Sequence, residues 1–156
     1  MALDPVDRRL ALALRAQARS TFADLGRLVG LSAPAVHDRV AKLEAAGTVR
    51  GYHADIDPAA LGLGVVALVG VLTTESVEQD EVAERLRSID AVTSCWVIAG
   101  EETFMLQVRA ADVDGLEHVL GTLRRTPGVA RTRTTVVLST RWEGRVPDPE
   151  EQPPQS

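Results

Sequence analysis

Aromatic residues make up only 3% of this 156-residue chain, and there is a single cysteine, Cys95. One thiol excludes an internal disulfide and suits a reducing compartment, so a cytoplasmic location is expected. With so few aromatics, any core must be built from Val, Leu and Ala, and 45% apolar content is enough for that. Long hydrophobic runs are missing too. The longest, Val65 to Leu72, is far too short to span a bilayer, and the start MALDPVDRR lacks the apolar stretch of a secretory signal. Neither a phosphate-cradling glycine loop nor a GxSxG nucleophile elbow is present. His37, His53 and His118 have no spacing that gathers them into a metal site. No catalytic residues, no metal ligands and no cofactor are therefore expected, and the chain does not read as an enzyme.

A surplus of positive charge is also lacking, since the net charge is −5, but the charge is unevenly placed. Residues 1–50 hold eight Arg/Lys against five Asp/Glu, a balance of +3. Residues 51–156 hold nine against seventeen, a balance of −8. A basic part joined to an acidic part is the asymmetry expected when one end alone meets phosphate.

The basic part reads as three short helices. Asp4 is a good N-cap with Pro5 suited to the first helical position, and Val6, Leu10, Ala13 and Leu14 follow at helical spacing. A second helix starts near Ser20-Thr21, is expected to bury Leu25, Leu28 and Val29, and ends at Gly30; Leu31 packs inward in the turn. Ser32 caps a third helix, with Pro34 in its first turn, Val36, Val40 and Leu43 facing inward, and Gly47 at its end. Two short helices joined by a tight turn are the helix-turn-helix arrangement that places side chains in the DNA major groove. The outward set is Ala33, Ala35, His37, Asp38, Arg39, Ala41 and Lys42.

Small residues at Ala33 and Ala35 allow close approach to a duplex, and the helix N-terminus offers N–H groups to a phosphate. Ser32 and His37 can hydrogen-bond base edges; Arg39 and Lys42 can reach bases or phosphates; Arg50 is a candidate phosphate contact. The competing reading is a small helical bundle with a solvated charged face.

Thr48 to Ile56 reads as an extended exit, and Asp57 to Gly62 as a turn that marks the domain boundary. Beyond it the pattern has a β-α-β-β-α-β rhythm. Val65 to Leu72 is a continuous apolar strand, as expected where both faces are covered. Val77 to Ile89 and Val113 to Arg125 are amphipathic helices, and Val92 to Ile98, Phe104 to Arg109 and Val129 to Thr140 are strands. LRSIDAV (86–92) and LRRTPGV (123–129) each join a helix end to a strand start, an internal repeat consistent with the split βαβ, ferredoxin-like plan.

The expected class is α+β: a helix-turn-helix, winged-helix-like domain at 1–50, a linker at 51–63, a ferredoxin-like βαββαβ domain at 64–143, and a tail at 144–156 too polar and Pro-rich to form a core. Cys95 is expected as a small buried hydrophobe, Trp96 and Trp142 as interface or core packing, and Arg131 and Arg133 as a solvated strand face.

Three stretches carry a family resemblance: LDPVDRRLALAL, FADLGRLVGLSAPAVHDRVAKLEAAGTVRGYHADIDPAALG and VTSCWVIAGEETFMLQVRA. Together they run through most of Leu3 to Trp142, and the most specific block is VHDRVAKLEAAGTV. The chain resembles the Lrp/AsnC (feast/famine) transcriptional regulators. That resemblance implies a sequence-specific regulator of double-stranded DNA, dimerised by pairing of sheets and assembled further to tetramers or octamers. It also implies a small-molecule effector, usually an amino acid, bound between dimers at the turn around Gly100. Family members carry a glycine, two variable residues and an aspartate there. Gly100-Glu101-Glu102-Thr103 keeps the glycine but has Thr103 in the aspartate position, which leaves Glu101 or Glu102 to supply the negative charge. In chemical terms the glutamates suit a ligand ammonium, and the Thr103 hydroxyl with the backbone near Gly100 suits its carboxylate. The alternative is a ligand-binding metabolic module whose helical start mediates protein interaction; the charge split favours DNA.

Overall fold

In the computed structural model, residues 3–144 are described. The chain divides into two compact units between Asp55 and Ile56, inside the expected 51–63 linker.

The first unit holds α1 (Pro5–Ala16), α2 (Phe22–Val29) and α3 (Ala33–Ala45). Each starts at a side-chain cap. Asp4 Oδ1 accepts from the Asp7 N–H at 2.9 Å, and Ser32 Oγ accepts from the Ala35 N–H at 3.4 Å. Thr21 and Asp24 cap α2 reciprocally, which satisfies two of its orphan donors. Leu10, Leu14, Leu25, Val36, Val40 and Leu43 form one buried cluster. Two expectations change here. Leu28 is 47% exposed, so α2 buries Leu25 and Gly26 instead. No strand occurs in this unit among the described residues, so the helix-turn-helix has no wing. The exit after α3 is irregular rather than a strand, and the Tyr52 hydroxyl donates to Glu44 Oε1 at 2.7 Å, tying residues just past α3 back onto it.

The second unit opens with a 3₁₀ turn, Pro58–Leu61, capped by Asp57. Then come β1 (Val65–Thr73), α4 (Gln79–Arg87), β2 (Val92–Val97), β3 (Phe104–Ala110), α5 (Val113–Arg125) and β4 (Val129–Val137). The strands form one sheet in the order β2-β3-β1-β4, with every neighbouring pair antiparallel.

Strand alternation then sorts the side chains. Ala67, Val69, Val71, Phe104, Leu106 and Val108 are buried in one cluster with Val82 and Leu86 of α4 and Leu116 and Leu123 of α5. The opposite, outer face carries the other parity. One row across it runs Trp96, Met105, Gly70, Arg133, and the next runs Ser94, Gln107, Leu68, Thr135. β1 was expected to be covered on both faces; in the single chain the outer one is open, with Leu68 at 37% exposure. Cys95 is also exposed, because β2 is an edge strand. Trp96 and Trp142 are exposed as well. The expected tail falls largely outside the described residues.

Candidate nucleic-acid interface and effector loop

With Val36, Val40 and Leu43 buried, α3 exposes Pro34, His37, Asp38, Ala41, Lys42 and Ala45, a stripe at the three- and four-residue spacing of one helix face. Ser32 is exposed at the start of this stripe, and Ala33 and Ala35 are half-buried beside it. The His37 ring meets Phe22 edge-on, with centroids 5.2 Å apart, and its Nδ1 lies 3.3 Å from Asp38 Oδ1. Lys42 and Arg50 are exposed, and no ion pair engages either among the described residues.

Arg39 departs from the expected arrangement. Its Nη1 donates to Asp4 Oδ2 and to Asp7 Oδ1, both at 2.8 Å. The guanidinium is therefore tied to α1 rather than held out with Lys42. Asp4 responds: the Asp7 N–H, then Arg39, hold its carboxyl at a pKa of about 2. Asp7, then Asp4, push the guanidinium pKa of Arg39 still higher. Sequence reasoning missed these acids as partners, although a basic residue on one amphipathic helix and paired acids opening another were the available signal.

In the second unit, residues 98–103 join β2 to β3. The Ile98 N–H donates to the Thr103 carbonyl at 3.1 Å, and the Thr103 N–H donates to the Val71 carbonyl at 2.8 Å. Gly100 has no positive φ, and a Cβ placed on it would meet no atom within 4 Å, so local sterics do not demand glycine there. Glu101 is paired with both Arg131 and Arg133 of β4. Those pairings, Arg131 first, keep its carboxyl below the usual range. Glu102 Oε1 lies 2.6 Å from Arg133, and its stem lies across Gly70, where a Cβ would come within 2.8 Å of Glu102 Cγ.

Arg131 and Arg133 are thus not merely solvated: they neutralise the loop's two acids. Thr103 is likewise engaged, its Oγ1 lying 2.9 Å from Thr73 Oγ1 and accepting from the Thr73 N–H at 3.3 Å. The hydroxyl expected to meet a ligand carboxylate latches β3 to the end of β1.

A cleft of about 250 Å³ lies at the other end of the sheet, lined by residues including Asp57, Leu63, Val66, Arg109 and Glu143. Glu143 spans Gln107 Nε2 at 2.8 Å and Arg109 Nη2 at 3.1 Å there. Arg109 lies six positions beyond Thr103 along β3, roughly 20 Å away, so this cleft is not the Gly100 loop. Among the described residues no group of His, Cys, Asp and Glu could hold a metal ion, and no helix is long and apolar enough to cross a membrane.

Both units match family models: the AsnC-type helix-turn-helix domain over residues 3–44 and the Lrp/AsnC ligand-binding domain over 65–147. The chain belongs to the Lrp/AsnC family. It is a DNA-binding transcriptional regulator of that family, which is one of regulators rather than enzymes. The HTH-type transcriptional regulator LrpA of Mycobacterium tuberculosis is 41% identical over 144 residues, covering 92% of this chain and 95% of that protein. Regulatory protein AsnC of Escherichia coli K12 is 29% identical, covering 87% and 90%. Among solved structures, a feast or famine regulatory protein from M. tuberculosis complexed with L-methionine superposes with a TM-score of 0.87 at 41% identity, covering 93% of this chain and 98% of that one. A Neisseria meningitidis transcriptional regulator in complex with L-Met has a TM-score of 0.84 at 30% identity, covering 91% and 94%. The Lrp/AsnC assignment also accounts for the fold class: helix-turn-helix first, four-stranded antiparallel sheet with two helices second.

Proposed function

We propose that α3 lies in the major groove with Ser32, Ala33, Ala35 and His37 at base edges and Lys42 and Arg50 at phosphates, and that the regulator works in the cytoplasm as a homodimer or larger assembly. The exposed stripe on α3 opposite a fully buried face supports the first part. The open outer face of the sheet, with Leu68 and Trp96 exposed, supports pairing of two sheets there. Two-fold pairing sets two recognition helices on half-sites roughly 34 Å apart or a multiple of that.

The second part of the reading is a small effector of the amino-acid class held at residues 100–103, for which the two methionine-complexed relatives give support. An incoming ammonium meets Glu101 and Glu102, whose charge Arg131 and Arg133 already offset, so binding exchanges part of that pairing. An effector acts only if one assembly binds it better than another. Light scattering and a DNA-binding assay, each run with and without single amino acids including L-methionine, test this. A shift in mass or in operator affinity with at least one amino acid is expected; no shift with any of them overturns the effector reading. Leu68→Asp on the outer face is expected to give a folded monomer, and an unchanged mass would overturn sheet pairing.

A further inference from the structure

Arg39 sits on α3, but both of its ion pairs run to α1. One guanidinium is shared by two carboxylates, so the Arg39–Asp4–Asp7 cluster carries a net charge of −1. Both acids stand at the start of α1, Asp4 as N-cap and Asp7 in the first turn, where the helix dipole favours negative charge. A phosphate contact would have to break at least one of the two 2.8 Å ion pairs. A second strap leaves α1 for α2: Arg9 Nη2 donates to the Leu28 carbonyl at 2.8 Å, at the C-terminal end of that helix. So α1 holds each helix of the motif by a directional polar contact.

The apolar cluster beneath is made of Leu and Val, and burial of such surface is non-directional. The turn bonds at the Gly26 carbonyl hold α2 to α3, whereas among the described residues no backbone hydrogen bond joins α1 to α3. Fixed donor and acceptor geometry supplies what the cluster does not.

We propose that Arg39 is a positioning residue, which through Asp4 and Asp7 of α1 sets the orientation of α3 for base reading and makes no phosphate contact itself. The proposal rests on α3 being the DNA-facing helix. Electrostatics alone and positioning predict opposite signs for the acids. Removing Asp4 and Asp7 charge near a phosphate backbone strengthens binding if only charge matters, and weakens specific binding if the acids hold α3 in place.

The experiment measures affinity of the full-length protein for a sequence selected from a random duplex library and for unrelated duplex, across a salt series. Variants are Arg39→Gln, Arg39→Lys, Asp4→Asn with Asp7→Asn, and Lys42→Ala. A mis-set α3 loses at least one base contact, so Arg39→Gln and the double Asn variant are expected to lose roughly 10- to 100-fold in specific affinity. The salt slope of Arg39→Gln stays as in the parent, and the double Asn variant binds unrelated duplex no more weakly than the parent. Arg39→Lys, able to reach one carboxylate, restores part of the loss.

Lys42→Ala instead lowers the slope of log K against log salt by about 0.9, the signature of one lost phosphate contact. The same fall in slope for Arg39→Gln, or tighter specific binding by the double Asn variant, overturns the proposal. An unchanged slope and affinity for Lys42→Ala would instead overturn the assignment of Lys42 as a phosphate contact on α3, a separate failure. Asp4→Asn alone keeps a good N-cap, so it remains interpretable if another variant unfolds.

Discussion

Gly26→Ala opposes two terms of known sign. Gly26 is interior to α2, where alanine is favoured over glycine by about 1 kcal/mol. Its backbone also carries the turn into α3: the Gly26 carbonyl accepts from Gly30 N–H at 2.8 Å and from Leu31 N–H at 3.0 Å. A Cβ at residue 26 would lie 2.4 Å from the Leu31 carbonyl oxygen. An ordinary carbon–oxygen contact needs about 3.3 Å, so the turn must open by roughly 0.9 Å.

The obstructing atom is backbone on both sides and cannot rotate away as a side chain would. The cost therefore sits near the top of the overpacking range, about 3 kcal/mol, which leaves a net destabilisation of about 2 kcal/mol. For a unit of this size that lowers the thermal midpoint by roughly 8–16 °C. Calorimetry of the full-length protein reads the midpoint, and a gel-shift series reads the displacement of α3 as lost operator affinity. A midpoint equal to or above that of the parent would refute the close-packed turn. Gly30→Ala is the control: Gly30 has φ of +76° with open space around it, so alanine there costs about 1–2 kcal/mol of backbone strain without pushing on α3.

Asp4 is expected to titrate near 2, well below its ordinary 3.8, when its carboxyl is followed by NMR, and Arg39→Gln is expected to move that midpoint upward. Since the folded value is depressed, its contribution to stability is present above pH 3.8 and lost as pH falls through about 2; an Asp4 midpoint at 3.8 in the parent would contradict both the Asp7 N–H bond and the Arg39 pairing. Phe104→Ala empties the largest buried site of the second unit and is expected to cost about 3–5 kcal/mol in denaturant unfolding; a loss under 1 kcal/mol would mean that Phe104 does not anchor that core. Glu101→Gln frees Arg131 and Arg133 from one acid at an exposed site, so the unfolding midpoint is expected to hold while the response to amino acids changes; a response identical to the parent's would remove Glu101 from the effector loop.

Periodicity and punctuation made most elements legible. Val113 to Arg125 is α5 to the residue, because Asp112 caps it and its apolar stripe is unbroken. The alternation in Phe104–Ala110 matches its burial residue by residue. The helix expected from Val77 to Ile89 is shorter at both ends, Gln79–Arg87, with Glu78 as an N-cap that makes no side-chain capping bond. Leu28 and Cys95 show where local pattern misleads. Both sit in apolar patterns, but α2 meets its neighbours on one narrow side and β2 lies at a sheet edge, so neither side chain is covered.

Local signals thus determined the caps, the helix-turn-helix, the βαββαβ order and the split of charge between two units, because each depends on neighbours within a few residues. The fate of the candidate functional side chains was decided by tertiary structure alone. Arg39 meets Asp4 and Asp7 across 35 and 32 residues, and Glu101 meets Arg131 and Arg133 across 30 and 32. A side chain that looks available in sequence is available only if no distant opposite charge is folded against it, and that is a property of packing.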